Sequence, residues 1–412
     1  MSCDMNKHCF DFSIFTIIFI IIRKNWIKLH VHDKIVTKYR ETGCEEREYT
    51  MINIAKPLMG AEEKQAVLDV LDSGMIACGS IVSEFEKEFA EYLGIEYCTA
   101  TTSGTTALEV GLRALGIGKG DTVITTPFSF IASTNSIIYT GATPVFAEID
   151  PDTFLIDPGS IEKALEEHPE AKALLIVHLF GLACDMDAIM EIVRKHDLLL
   201  IEDCAQAHGA EWKGKKAGTF GNVGCFSFYP TKNMTTSEGG AVVTHDAETN
   251  RNCRLLINHG MEVRYHHDEI GYNYRMTNIC GAIGRCQLKK LEGFNRSRRA
   301  HAAYLSEHIS NPLIETPVEP EGAKHVFHQY TVKVALGQRD AFLKHLEANG
   351  VGYGVFYPLS IPEQKCYEQM GFQTEWPVTD TVKQQVVSLP VHPGLTDAEV
   401  AEVARVVNSF RG

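Results

Sequence analysis

Lys232 stands in FSFYPTKNMTTSEGG, residues 226 to 240, just past a short apolar run and a proline turn, among Ser, Thr and Gly. A lysine near buried strand ends, with its pKa lowered by its surroundings, can attack a carbonyl and form a Schiff base. Asp203 lies 29 residues earlier, at the carboxyl end of the hydrophobic stretch LLLIEDC, where open α/β sheets place their ligands. Burying a carboxylate there is costly unless something cationic meets it, although an Asp at such a place also commonly caps the next helix. TTSGTTAL sets small residues and Gly104 at the start of a helix, so free N–H groups and the positive end of the helix dipole can hold a phosphate. Ser227 can add a hydroxyl to the same phosphate, and Phe130, in TPFSFIAST, can stack on a flat heteroaromatic ring. Taken singly, each feature is ordinary: Ser and Thr cap helices, Phe130 suits a core equally well, and lysines sit at surfaces. Together, a Schiff-base lysine, an acid for a ring nitrogen, an aromatic lid and a phosphate cradle describe the needs of pyridoxal phosphate.

These residues require an element pattern that puts strand ends side by side. From Glu62 onward, helix-period segments (EEKQAVLDVLDSG, SEFEKEFAEYLG, TTALEVGLRALG) alternate with β-branched runs (DTVITT, TPVFAEI, ALLIVHLF, LLLIEDC), and MDAIMEIVRKH forms one of the crossovers. Such alternation, with continuous apolar strands, predicts a mostly parallel sheet covered on both faces. GCFSF and GGAVVTH add two strands flanking the lysine loop. After about Gly284 the pattern changes to a long polar helix (LKKLEGFNRSRRAHAAYLSEHI), a strand at QYTVKVA, a helix near RDAFLKHLEANG and a final helix from Thr396, a smaller α+β domain. The expected division is residues 51–285 for a large cofactor-binding domain and 286–412 for a small C-terminal one.

IEDCAQAHGA, GTFGNVGCFSFYPTKNMTTSEGGAVVT, SGTTAL, GYNYRMT and SLPVHPGLTD resemble the motifs of the DegT/StrS-type sugar-nucleotide aminotransferases, fold type I pyridoxal phosphate enzymes. The resemblance covers residues 51 to 412. It implies an aspartate-aminotransferase-like fold, with a mostly parallel seven-stranded sheet in the large domain. It further implies that Lys232 carries the Schiff base, Asp203 pairs with the pyridinium nitrogen, and Gln206 reaches the ring hydroxyl. Gly104, Thr105 and Ser227 would bind the phosphate, Phe130 would cover the ring, and Asn273 would reach the phosphate held by a neighbouring subunit, which makes a homodimer with shared sites. The implied substrates are an amino-acid donor, glutamate, and a nucleotide-linked keto sugar, in surface polysaccharide or glycan biosynthesis. TTSEGGA looks more like members acting at a 4-keto than at a 3-keto position. Relatives with His in place of the lysine dehydrate sugars, so Lys232 favours amino transfer. A dehydratase, a keto-inositol aminotransferase and a non-catalytic regulator are the rivals.

The formal charge of −14 argues against non-specific nucleic-acid binding, which needs a basic footprint. Composition, 44% hydrophobic and 22% charged, is that of a globular protein of more than one domain. The 12 cysteines include no CxxC pair, which disfavours a disulfide scaffold or a zinc cluster and suits a reducing cytoplasm. In residues 1–50 the apolar run Phe10–Ile22 is shorter than the roughly 20 residues of a membrane helix. No small-residue cleavage site follows it. Met51 is therefore expected to be the natural start, with 1–50 an upstream extension and no stable membrane association. Of the remaining candidates, His325 and His328 in HVFHQY are read as pointing to opposite faces of a strand rather than as a metal pair. NRSRRAH is read as a solvated face, His208 as a residue that could line the pocket, and Tyr357 is set aside.

Overall fold

The computed structural model describes residues 51–372 and 375–412, so the expectations for residues 1–50 lie outside the described residues. After helices α1 (Ala61–Ser73) and α2 (Ser80–Leu93) come β1 (Tyr97–Thr101), α3 (Gly104–Ala114), β2 (Thr122–Thr125), α4 (Ala132–Thr140) and β3 (Thr143–Phe146). There follow α5 (Pro158–Glu167), β4 (Ala173–Val177), α6 (Met186–His196) and β5 (Leu199–Asp203). Two short strands, β6 (Glu211–Trp212) and β7 (Lys215–Lys216), lead to β8 (Val223–Ser227), β9 (Gly240–Thr244) and α7 (Ala247–Ile257). The large sheet has seven strands in the order β1-β9-β8-β5-β4-β2-β3. Pairings from β3 through β8 are parallel, and β9 alone runs against the rest, antiparallel to both β8 and β1. This is the mostly parallel sheet that the sequence predicts, and it is the architecture of fold type I enzymes.

Helices on both faces explain the strand composition. All five residues of β4, ALLIV, are buried, because a parallel strand joined by crossover helices has no face left for water. Local signals fix the helices around it. Ser103 caps α3 by accepting the Thr106 N–H, and Asp185 caps α6 by accepting the N–H groups of Asp187 and Ala188. α6 also ends in Arg194, Lys195 and His196, charges that complement the negative end of its dipole. β1, YCTAT, is not anticipated by the sequence pattern: two of its five residues are threonines and it is too short to show a period.

The chain continues with α8 (Asn278–His308), β10 (Ile314–Glu315), β11 (Ala323–Lys324), β12 (Tyr330–Val334), α9 (Arg339–Ala348), α10 (Pro377–Gln385), β13 (Val386–Leu389) and α11 (Asp397–Ser409). β10, β12 and β13 form an antiparallel sheet with its own core, in which Tyr330, Val332 and Phe342 pack with Ala302, Leu305 and Val403. α8 is one continuous helix of 31 residues running through positions 285 and 286. Two expectations are corrected here. His325, Val326, Phe327 and His328 belong to no strand, since β12 begins only at Tyr330, and Phe327 has a φ of 43° that no strand permits. Within NRSRRAH, Arg298 is not solvated: Leu291, Asn295, Arg298, Ala302 and Leu305 recur three or four apart on the buried face of α8.

Candidate active site

The sheet brings its C-terminal strand ends to one edge, and the candidate residues collect there. Asp203 is the last residue of β5, in register beside Cys225 of β8. Ser227 ends β8, and the loop from Phe228 to Gly239, which carries Lys232, is closed by Phe228 N–H donating to Gly239 O at 2.8 Å. Gly104 opens α3 just beyond β1, and Phe130 follows β2. Space, rather than conformation, demands the glycine at 104: a Cβ there would stand 2.6 Å from Ser227 Cβ. Gly240 is held to glycine likewise, because its Cβ would meet Ser103 O at 2.3 Å. The start of α3 is thus pressed against the end of β8, with free helix N–H groups and the Ser227 hydroxyl side by side.

Asp203 is buried, and burial pushes its carboxyl above the usual range. Opposing that push, Ala205 N–H donates to Oδ1 (3.0 Å), Ser133 Oγ–H donates to Oδ2 (2.8 Å), and Lys232 attracts the charge. Lys232 is half-buried and makes no ion pair among the described residues; burial brings its amine down to about 8, against the pull of Asp203. An amine that sheds its proton near neutrality is the nucleophile that condensation with an aldehyde needs. Gln206 is oriented by Phe180 N–H, which donates to its Oε1 at 2.6 Å, while its Nε2 donates to the Tyr357 hydroxyl at 3.2 Å. Phe130 is 57% exposed at the mouth, its ring centroid 6.2 Å from that of Tyr357. Thr105 is half-buried in the first turn of α3. Asn273 is not drawn into this group: it is exposed and forms an isolated bridge with Asn258.

Ser133 and Tyr357 join the site without having been foreseen. Ser133 gave no signal beyond that of a small polar residue near a helix start. Tyr357, set aside from the sequence, is half-buried at the site, with Phe128 and Phe130 each 6.2 Å from its ring. His328 Nδ1 lies 3.1 Å from Oδ1 of Asn233, the residue next to Lys232. His208 is buried against Phe226 and Phe228, and burial holds it neutral with a pKa near 3. His178, Glu202 and Cys204 form a buried trio with metal-like spacing. Glu202, however, already accepts from His178 Nε2 (2.9 Å) and from the N–H groups of Gly218, Phe220 and Gly221, while His178 Nδ1 accepts the Cys184 N–H. That network braces the turn leading into β8.

The donor set fits pyridoxal phosphate. An unpaired amine, a buried carboxylate in want of a cation, an exposed aromatic face and a glycine-lined helix start lie at one sheet edge. Comparison with known proteins agrees. A 3-aminotransferase for UDP-N-acetyl-3-dehydro-alpha-D-glucosamine from Acidithiobacillus ferrooxidans is 40% identical, covering 82% of this chain and 90% of its own. GDP-perosamine synthase from Caulobacter vibrioides is 38% identical over 85% of this chain and 96% of its own. The crystal structure of S. venezuelae DesV in complex with a ketimine intermediate superposes with a TM-score of 0.81 at 38% identity, covering 84% and 94% of the two chains. Residues 57–408 match the DegT/DnrJ/EryC1/StrS aminotransferase family, and with the site assembled as above the chain belongs to that family, a pyridoxal-phosphate-dependent transaminase.

Proposed function

We propose that this enzyme moves an amino group from glutamate onto a keto sugar carried by a nucleoside diphosphate, at the 4-position, as a cytoplasmic homodimer whose product enters surface glycan synthesis. The observation that carries the proposal is the unpaired Lys232 amine facing the influence of Asp203 beside the Gly104–Ser227 cradle. When bound, pyridoxal phosphate supplies an aldehyde that condenses with amines and an electron-poor ring that takes up the electron pair left by a breaking carbon–hydrogen bond. Asp203 would hold a proton at the ring nitrogen, and Gln206 would reach the ring hydroxyl. Gly104, Thr105 and Ser227 would bind the phosphate, joined by Asn273 of the partner subunit, and Phe130 would cover the ring. Lys232 Nζ would serve as the base and acid that moves a proton between the donor's α-carbon and the cofactor's aldehyde carbon, and in the second half between that carbon and the acceptor's former keto carbon.

Relatives named for nucleotide sugars support the acceptor class. The stretch TTSEGGA, by its resemblance to members acting at a 4-keto position, favours the 4-position, whereas the relative from A. ferrooxidans is named for the 3-position. Among the described residues no helix is long and apolar enough to cross a membrane. A visible spectrum of the purified holoenzyme, before and after glutamate, tests the donor half. The cofactor's yellow band is expected to fade, and a band unmoved by any amino acid overturns amino transfer. A panel of 3-keto and 4-keto nucleotide sugars and keto-inositols with 15N-glutamate tests the acceptor half. Nitrogen entering only a 3-keto substrate or an inositol overturns the assignment, and oxygen loss without nitrogen gain makes the protein a dehydratase.

A further inference from the structure

Arg298 is 5% exposed, yet no carboxylate among the described residues pairs with it and its Nε has no hydrogen-bond partner. Its Nη1 donates to the carbonyls of Phe327 (3.2 Å) and His328 (3.3 Å), which offer dipoles but no counter-charge. A buried guanidinium left in this state is costly, and burial lowers its pKa to about 10. Arg298 lines a cavity together with Lys56, Lys232, Asn233, Gln287 and Pro393, and no Asp or Glu among the described residues lines it. Lys56 comes from the segment before α1 and is exposed. Glu399, the acid whose carboxylate senses Lys56, is engaged in capping α11 through Thr396.

We infer that this cavity is the seat of the amino donor's carboxylate, with Arg298 and Lys56 supplying the counter-charge while the neighbouring amino-bearing carbon faces Lys232. The inference rests on the amino-transfer reading above and assigns it a second set of residues. Charge complementarity supports an anion, because Arg298 and Lys56 line one cavity beside the Lys232 amine with no acid among the described lining residues. Bonding selects which anion. In an α-amino acid the carboxylate is attached to the very carbon that reacts, so its seat belongs in the cavity of the reactive amine. In a nucleotide sugar the diphosphate is separated from the keto carbon by atoms of the sugar ring, so its seat belongs farther out. Orienting the donor through its carboxylate is the kind of positioning that makes reaction at one carbon effectively intramolecular.

The test uses the holoenzyme and two unreactive probes, glutarate and UDP, in titration calorimetry. Glutarate is expected to bind, and Lys56→Ala and Arg298→Lys are each expected to weaken it about 10-fold while leaving UDP unchanged, as loss of a charge-assisted contact does. The glutamate concentration that half-bleaches the yellow band is expected to rise by the same factor. Unchanged glutarate binding in Lys56→Ala overturns the seat, as does a loss confined to UDP, which would make the cavity a diphosphate site. Should Arg298→Lys fail to fold, the exposed Lys56 still decides. Wild-type protein that no amino acid bleaches overturns amino transfer itself; normal bleaching of Lys56→Ala at unchanged glutamate concentration overturns the carboxylate seat alone.

Discussion

Ser133 Oγ donates to Asp203 Oδ2 at 2.8 Å across 70 residues of sequence, so the first turn of α4 delivers a hydroxyl to the end of β5. That bond favours the ionised form of a carboxylate whose pKa burial pushes up. Ser133→Ala is expected to raise the Asp203 pKa further and to lower kcat about 10-fold, at a stability cost of about 1–2 kcal/mol. Ser133→Thr, which keeps the hydroxyl, is expected to restore most of the rate. Steady-state kinetics of the two variants, with thermal unfolding, check this; equal loss in both would mean packing rather than hydrogen bonding.

Asp203→Asn removes the charge and nearly preserves the shape. If the carboxylate keeps a proton on the ring nitrogen, turnover is expected to fall by about 100-fold or more, an electrostatic loss at the reacting centre. Circular dichroism of the variant is expected to match the wild type. Full activity would end the pyridinium pairing.

The Lys232 amine, lowered from 10.5 to about 8, is half neutral near pH 8. Recombination of cofactor-free protein with pyridoxal phosphate is therefore expected to quicken with pH, with a midpoint near 8, followed by stopped-flow absorbance. A midpoint above 10 would contradict the burial argument. The sign for stability follows from the same shift: a depressed folded-state pKa stabilises the cofactor-free fold above pH 10.5, and that contribution disappears as pH falls through 8. Lys232→Ala is expected to abolish turnover while leaving the protein folded. Borohydride reduction of the wild-type holoenzyme, followed by peptide mapping, is expected to find the reduced cofactor on Lys232 and on no other residue.

Gly104→Ala places a Cβ 2.6 Å from Ser227 Cβ. Overpacking of this kind costs about 1–3 kcal/mol, and here it also parts the helix start from the Ser227 hydroxyl. Cofactor retention during dialysis is expected to drop more than thermal stability does. Retention equal to the wild type would remove the phosphate cradle from this position.

Asn273 is exposed and lies outside the cluster around Lys232, as a residue serving another subunit would. Mixed and refolded Lys232→Ala and Asn273→Ala chains are expected to recover activity that neither has alone, because one of the two hybrid sites is then intact. No recovery in a verified hybrid dimer would refute sharing.

Much of this arrangement is legible in the sequence because it rests on local rules. Strand β4 is announced by a fully apolar run, α3 by Ser103 ahead of Gly104, and the lysine loop by Pro230 and the closing glycines. What escapes is whatever depends on tertiary proximity. Nothing near Ser133 reveals that β5 will end beside it, and nothing near Tyr357 reveals Gln206. The His325–His328 stretch misleads because Val326 and Phe327 run straight into the alternating strand QYTVKV, while the backbone turns to aim the carbonyls of Phe327 and His328 at Arg298. Arg298 misleads in the opposite sense, since a basic cluster on a helix carries no mark of which member faces inward.

Helix α8 touches nearly everything discussed above: Gln287 and Lys290 bond Glu63 of α1, Asn295 bonds Asn233 beside Lys232, and Ala302 and Leu305 sit in the C-terminal core. Exchange of C-terminal halves between relatives therefore has its usable breakpoints before Asn278 or after His308. A chimera joined at 285 would splice two half-helices whose inner faces were selected in different parents, and would lose both cores at once.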